Sequence, residues 1–290
     1  MAMPQAVHYD RAAEDLGNIV SLEHVNLGVG DQGAAMWFYL AGMGFTRDPY
    51  LFPGPELMWV NIGRSQVHLP TGKLQVLRGR TGVVIPDRAA LLARLERVSP
   101  KLAGTQFGWR EQAGHVDVTC PWGNVFRCHA ASERFAGMTL GIPYVEFDVP
   151  TGTADGIARF YRDLIGAPSS VASEGRARVA IVEAGVGQTL RFRETKAPQA
   201  PYDWHHIQVY VADFSGPHRR LLERGLVSEE SDQHQYRFVD IVDPADGRKL
   251  FQIEHEVRSM RHPLYARPLV NRNPAQTNMN YHHGHHELVV

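Results

Sequence analysis

Four segments of similar pattern recur along the chain, and each predicts the same order of strands and helix. Each begins with a β-rich stretch, continues with helical periodicity, and returns through extended runs separated by turn residues. The β-rich stretches are residues 22–29, 79–87, 142–149 and 204–211. The closing strands are predicted at residues 66–69, 125–128, 189–192 and 252–255. Self-similarity of this kind indicates one β-α-β-β-β unit repeated four times.

The spacing within the units is nearly constant. The central positions of the first strands are 24, 81, 144 and 206, and the matching positions on the last strands are 68, 127, 191 and 254. The separations are therefore 44, 46, 47 and 48 residues. We expect an N-terminal extension at 1–18, units at 19–78, 79–135, 136–198 and 199–257, and a C-terminal tail at 258–290.

A fourfold βαβββ repeat over residues 20–257 resembles the vicinal oxygen chelate superfamily, which includes glyoxalase I, extradiol dioxygenases and the bleomycin resistance proteins. The resemblance implies an α+β fold in which two units pair and their mixed sheets curl into a barrel around one metal site. It also implies that each unit contributes up to two metal ligands, one from its first strand and one from its last. Because one scaffold of this kind supports many reactions, the reaction stays open.

The aligned positions differ in chemistry between the outer and the middle units. The outer units carry His24, His68, His206 and Glu254. The middle units carry Thr81, Arg127, Tyr144 and Arg191. An arginine beside a divalent cation costs on the order of several kcal/mol in a low-dielectric site, so the middle units are not expected to hold a metal. The ligand set is complete only if units 1 and 4 pair, which leaves units 2 and 3 to form a second, metal-free barrel.

Three imidazoles and one carboxylate suit one divalent transition metal, namely Fe, Mn, Ni, Co or Zn. Calcium and magnesium prefer oxygen ligands. Four protein ligands leave two adjacent positions on an octahedral metal for a substrate with two neighbouring oxygens. Alternatively, His68 is a base beside the metal, and the remaining His24, His206 and Glu254 resemble the triad of non-haem Fe(II) oxygenases. A lone strand histidine can also be a merely hydrogen-bonded structural residue.

Strand alternation adds further residues to the predicted pocket. Glu256 shares the inward face of Glu254, and these two carboxylates with His68 are the candidates for moving protons. Other residues are expected to line the substrate pocket: Asn26, Trp59, Asn61, Gln66, Gln208 and Tyr210. The alternative for the pocket residues is ordinary filling of a barrel interior.

Three functions remain open on this evidence. The first is a metal-dependent enzyme that chelates a small substrate through vicinal oxygens, with glyoxalase-like isomerase or lyase chemistry through a metal-stabilised enolate. The second is an Fe(II) extradiol-type ring-cleaving dioxygenase. The third is a metal-free binding protein that sequesters a ligand, which the four ligand-type residues disfavour.

Charge and composition exclude other classes of function. Lys and Arg number 30 and Asp and Glu 31, so no basic surface indicates nucleic acid or an anionic membrane. No apolar run approaches the ~20 residues that span a bilayer, and the N-terminus lacks a signal-peptide pattern, so we expect a cytoplasmic protein. The expected partner is a small-molecule substrate, with a homodimer as a further option.

The chain contains 15 histidines, and five of them lie in the tail. These five are His262, His282, His283, His285 and His286. We interpret the tail cluster as a terminus that binds metal only adventitiously, although residues 263–274 could pack on the body. The alternative is an arm that covers the pocket or contacts a partner subunit.

Overall fold

A computed structural model describes residues 9–51 and 54–269 of the 290-residue chain. The first unit contains β1 (Ile19–Asn26), α1 (Gln32–Ala35), β2 (Thr46–Arg47), β3 (Leu57–Ile62) and β4 (Ser65–Pro70). The second contains β5 (Gly79–Ile85), α2 (Arg88–Val98), β6 (Gly108–Glu111), β7 (Val116–Thr119) and β8 (Val125–Ala130). The third contains β9 (Gly141–Pro150), α3 (Ala154–Phe160), β10 (Ser169–Glu174), β11 (Ala177–Glu183) and β12 (Thr189–Thr195). The fourth contains β13 (His206–Val211), α4 (Ser215–Leu222), β14 (Val227–Asp232), β15 (Gln235–Val242) and β16 (Lys249–Ser259).

Local sequence explains where two of the helices begin. The side chain of Asp31 accepts a hydrogen bond from the Ala34 amide at the start of α1, and Asp87 does the same at the start of α2. Such caps satisfy amide groups that have no partner within the helix. Two helices continue as π-helical turns, over Met36–Gly42 after α1 and Tyr161–Ile165 after α3.

The strands form two eight-stranded mixed sheets. The first has the order β14-β15-β16-β13-β1-β4-β3-β2, and the second has the order β10-β11-β12-β9-β5-β8-β7-β6. Units 1 and 4 join through the antiparallel pair β1 and β13, whereas units 2 and 3 join through β5 and β9. The predicted pairing of units 1 with 4 and 2 with 3 is confirmed, and it occurs within one chain.

The sheets are open, so the expectation of closed barrels is wrong in that respect. Each pair of units joins only through its first strands, which places the remaining strands at opposite ends of the sheet. In the first sheet one end is β2, which has only two residues. A strand of that length cannot form the ladder that closure would require.

The helices pack between strands of both sheets, and most of the buried apolar residues form one continuous core, with a small second cluster at Val84, Phe135 and Tyr144. Phe38, in the turns after α1, contacts Phe126 of β8 with ring centroids 5.9 Å apart. Phe160 of α3 contacts Phe238 of β15 at 5.8 Å. Each of these contacts joins a helix of one sheet's units to a strand of the other sheet, so the two sheets share their hydrophobic stabilisation.

A short segment after β16 packs back onto the first sheet. We call residues 260–269 the C-terminal strap. Tyr265 of the strap contacts Tyr210 of β13 with ring centroids 4.9 Å apart, and Arg267 pairs with Asp48.

The tail histidines His282, His283, His285 and His286 lie outside the described residues. No helix within 9–51 and 54–269 is long and apolar enough to cross a membrane.

The Gln188 side chain links the two sheets. It precedes β12, yet its Oε1 accepts from the Leu22 amide at 3.1 Å and its Nε2 donates to the Leu22 carbonyl at 2.8 Å. Nε2 also lies 2.9 Å from the Ile142 carbonyl of β9. The strand β4 pairs with β1 only at residues 24–26 and does not reach Leu22. The side-chain amide of Gln188 therefore makes the hydrogen bonds to Leu22 that a neighbouring strand would otherwise make.

Replacing Gln188 with alanine is expected to lower the free energy of unfolding by about 3 kcal/mol, because three buried backbone groups, two of Leu22 and one of Ile142, lose this partner. Urea unfolding followed by circular dichroism measures the change. The matched control is Gln112→Ala at an exposed position, which should stay within about 0.5 kcal/mol of the parent. Equal stabilities of the two variants would contradict the bridging role of Gln188.

Candidate metal centre

Polar residues form two adjacent rows across the middle of the first sheet. The strand registers place His68, Asn26, His206 and Glu254 side by side in one row. The neighbouring row contains Gln66, His24, Gln208 and Glu256. Residues two apart on a strand share a face, so both rows project from the same side of the sheet.

Three side chains in these rows come together most closely. His24, His206 and Glu256 each offer a ligand atom within 4.8 Å of the others. The Nε2 atom of His206 lies 3.7 Å from Glu256 Oε2, and the His24 and His206 ring centroids are 5.7 Å apart. Two imidazoles and one carboxylate form a donor set that suits Fe(II) and other divalent transition metals.

His68 and Glu254, the other two predicted ligands, flank this group. The His68 ring stacks between His24 and Trp59, with centroid distances of 3.7 Å and 3.8 Å. Glu254 Oε2 lies 3.3 Å from His206 Nδ1. The structure therefore brings all four predicted ligands into one cluster, and Glu256, rather than the predicted Glu254, completes the group of ligand atoms with His24 and His206.

Polar atoms at the centre of the cluster lack hydrogen-bond partners among the described residues. They include His24 Nε2 and both amide atoms of Gln208. His24 is 1% exposed and Gln208 is fully buried. Leaving a buried polar group unpaired costs about 1–3 kcal/mol, so these atoms fit a bound ligand between them. The donor set and the unpaired atoms together fit a divalent metal.

The electrostatics of the cluster favour the neutral forms of His24 and His68 and the charged form of one carboxylate. Burial, reinforced by the charge of Arg258, holds the pKa values of His24 and His68 well below the ordinary 6.5. Burial acts to raise the pKa of Glu254, but the hydrogen bond with His206 and the nearby Arg237 outweigh it and lower the pKa. Neutral imidazoles and ionised carboxylates are the forms that bind metals.

Strand alternation misses Glu23, because a β-bulge lies between Leu22 and His24. The bulge turns Glu23 inward, where it is 8% exposed and its Oε2 lies 3.3 Å from His24 Nδ1. Burial raises the pKa of Glu23 to about 7. A simple alternation of faces cannot reveal a residue that a bulge reorients.

Two arginines of the cluster are also missing from the sequence prediction. Arg258 Nη2 lies 2.5 Å from Glu256 Oε1, and Arg237 donates to both Glu254 and Glu256. Arg258 shares the parity of Glu254 and Glu256 on β16, so alternation alone could have found it. Arg237 is on β15, and only its pairing with β16 brings it to the site.

The remaining predicted pocket residues surround the cluster. Asn26 Nδ2 lies 3.4 Å from Gln75 Oε1, and Tyr210 is covered by Tyr265 of the strap. Asn61 and Gln66 hydrogen-bond to each other behind His68. Trp59 covers the outer face of the His68 ring.

Ion pairs occupy the equivalent face of the second sheet. Arg127 makes two hydrogen bonds with Asp117 at 2.7 Å and 2.9 Å, and Arg191 pairs with Glu146 at 3.1 Å.

A groove of about 470 Å³ lies against this sheet, away from the histidine cluster. Its lining includes Gly79, Arg80, Gly108, Trp109, Arg110 and Thr119. The described ranges contain no second group of three metal-ligating side chains with this closeness.

Comparison with solved structures supports the architecture. A "putative dioxygenase" from Bacillus subtilis subsp. subtilis str. 168 is 14% identical, with 84% of this chain and 86% of that chain covered and a TM-score of 0.57. Glyoxalase I from Zea mays is 12% identical, with 82% and 92% covered and a TM-score of 0.56. No protein-family model and no curated protein sequence matches the chain. At these identities the likeness concerns the fold, and the predicted fold of paired βαβββ units is confirmed.

The geometry predicts which carboxylate matters more for metal binding. We expect Glu256→Gln to raise the Co(II) dissociation constant by more than about 100-fold and Glu254→Gln by about 10-fold, since a supporting carboxylate contributes less than a ligand. Isothermal titration of each variant with Co(II) measures the difference. The opposite order would make Glu254 the carboxylate ligand, as the sequence alone predicts.

Proposed function

We propose that this chain, which has the vicinal oxygen chelate fold, is a divalent-metal-dependent enzyme acting on a small substrate with two neighbouring oxygen atoms. The observation that carries the proposal is the convergence of His24, His206 and Glu256 beside buried, unpaired atoms of His24 and Gln208. A structural cluster with no ligand would leave these atoms unsatisfied at a cost in stability.

His24, His206 and Glu256 would hold the metal, with His68 and Glu254 beside them. A bound divalent metal would supply Lewis acidity to two substrate oxygens. The charges of the cluster favour a cation, because two carboxylates balance two guanidinium groups and Glu23, whose pKa of about 7 leaves it partly ionised near neutral pH, adds further negative charge. These groups belong to Glu23, Glu254, Glu256, Arg237 and Arg258.

Among the reactions of this class, the geometry favours an Fe(II) ring-cleaving dioxygenase acting on a catechol-type substrate. The two-histidine, one-carboxylate group is the donor set of non-haem Fe(II) oxygenases. His68, outside that group and held neutral by burial, would accept a proton from a substrate hydroxyl. The amide of Gln208 would hydrogen-bond the bound substrate, and Trp59 would hold the His68 ring in place.

A glyoxalase-like isomerase or lyase is the second candidate. The observation in its favour is the presence of two carboxylates, Glu254 and Glu256, on one face of β16 with Arg237 between them. One carboxylate could bind metal while the other moves a proton between adjacent substrate atoms. A metal-free binding protein is the third reading, and metal analysis separates it from both enzymes.

Metal content is the first test of the proposal. We expect untagged protein to carry about one divalent metal per chain by inductively coupled plasma mass spectrometry. His24→Ala and His206→Ala should abolish it, because each removes a ligand from the centre. Two controls should retain the metal: His115→Ala, and a variant with His282, His283, His285 and His286 replaced by glutamine. Metal-free parent protein would favour the binding-protein reading.

Oxygen consumption separates the two enzymatic candidates. Protein loaded with Fe(II) is expected to consume one O₂ per catechol-type substrate, measured with an oxygen electrode alongside ring opening by absorbance. His68→Gln should retain the metal and lower kcat by about 10²–10⁴-fold, the usual contribution of a general base. Proton exchange from substrate carbon into D₂O, without oxygen uptake, would instead identify the isomerase or lyase.

A further inference from the structure

A fully buried ion pair ties the C-terminal strap to the first sheet. Arg267 Nη2 lies 2.5 Å from Asp48 Oδ2, and Arg267 Nη1 lies 3.3 Å from Asp48 Oδ1. The two side chains are 1% and 0% exposed. Charges that are buried this completely require close pairing, so the contact holds the strap and the loop after β2 together.

Hydrogen bonds lead from this pair to Gln66. The Nε2 group of Gln66 donates to Asp48 Oδ2 at 2.8 Å and to Asn61 Oδ1. Asn61 Nδ2 in turn donates to the backbone carbonyl of Leu269, in the strap, at 3.0 Å. A carboxylate and a carbonyl only accept hydrogen bonds, so both amides have one orientation that satisfies every partner.

The orientation of Gln66 determines which nitrogen of His68 carries hydrogen. Both hydrogens of the Gln66 amide are used, and its Oε1 faces His68 Nε2 at 3.1 Å. Because an amide oxygen only accepts, Nε2 of a neutral His68 must be the donor, and its Nδ1 keeps a free lone pair. Stacking on Trp59 and His24 fixes the plane of the ring but permits a half-turn flip, so the hydrogen bond selects between two orientations.

We propose that Arg267 and Leu269 of the strap are positioning residues, which act through Asp48, Asn61 and Gln66 to hold His68 as the Nε2–H tautomer. The Nδ1 lone pair is then directed to one side of the ring, available as a base or as a metal ligand. Its use in catalysis rests on the proposed function, whereas the tautomer itself does not. The strap thereby connects the end of the described chain to the chemistry of the first unit.

The tautomer can be read directly on the metal-free, full-length protein. We would label the histidines with ¹⁵N and record long-range ¹H–¹⁵N correlations at pH 8 with a chelator, assigning His68 by the loss of its signals in His68→Gln. The wild-type protein should show hydrogen on Nε2 and a bare Nδ1. Gln66→Met removes the acceptor and should shift the tautomer ratio by about five-fold, the effect of one ordinary hydrogen bond.

Variants of the strap and of its partners test the contacts that connect Arg267 and Leu269 to Gln66. The double variant Asp48→Asn with Arg267→Gln keeps the buried site neutral and should shift the ratio as Gln66→Met does. If the double variant does not fold, Asn61→Leu provides the same test, because it removes the hydrogen bond to the Leu269 carbonyl. Arg267→Lys, which keeps the positive charge, should retain most of the wild-type tautomer ratio. The matched control is Arg261→Gln, an exposed strap residue, which should leave the ratio unchanged.

Metal binding provides the second readout. The Asp48 and Arg267 double variant should weaken Co(II) binding by about 10-fold at unchanged stoichiometry, as loss of a supporting contact does. Hydrogen on Nδ1 in the wild type, or a wild-type tautomer ratio in both strap variants, would overturn the proposal. A protein that binds no metal but shows the expected tautomers would refute the proposed function and leave this inference standing.

Discussion

The antiparallel pairing of β1 with β13 is the contact on which the rest of the structure depends. It joins the first and last units into one sheet and brings His24 and His206, 182 positions apart, onto neighbouring strands. Either unit alone would expose the edge of its first strand and would carry only part of the histidine and carboxylate cluster. The same pairing principle joins units 2 and 3, so one rule of assembly produces both sheets.

The two sheets show how one scaffold supports different chemistry. In the first, imidazoles and carboxylates face each other with buried atoms left unpaired, which is an arrangement that a bound metal would relieve. In the second, Arg127 and Arg191 satisfy their charges through neighbouring carboxylates. A guanidinium group is always charged and a buried imidazole is neutral, so the residue type at one strand position decides whether a cation or an ion pair fits there.

Most of the fold and much of the candidate site could be predicted from the repeat. The strand positions follow from alternation and turn residues, and the pairing of units follows from where His24, His68, His206 and Glu254 lie. The prediction of closed barrels failed because joining through first strands leaves the outer strands apart. Alternation assigns Glu23 to the wrong face because a bulge adds one residue to β1, and no local pattern announces that bulge.

The sequence by itself determined the strand faces and the donor types, because the two-residue period of a strand is a local property of the backbone. Only the tertiary structure decided which carboxylate completes a ligand group with both His24 and His206, since Glu254 and Glu256 share one face and differ only in what lies opposite them. The same holds for the contact of Arg267 with Asp48, which reaches His68 through two amides. Ion pairs and hydrogen bonds between distant positions depend on where the folded chain places them, and no period in the sequence encodes that.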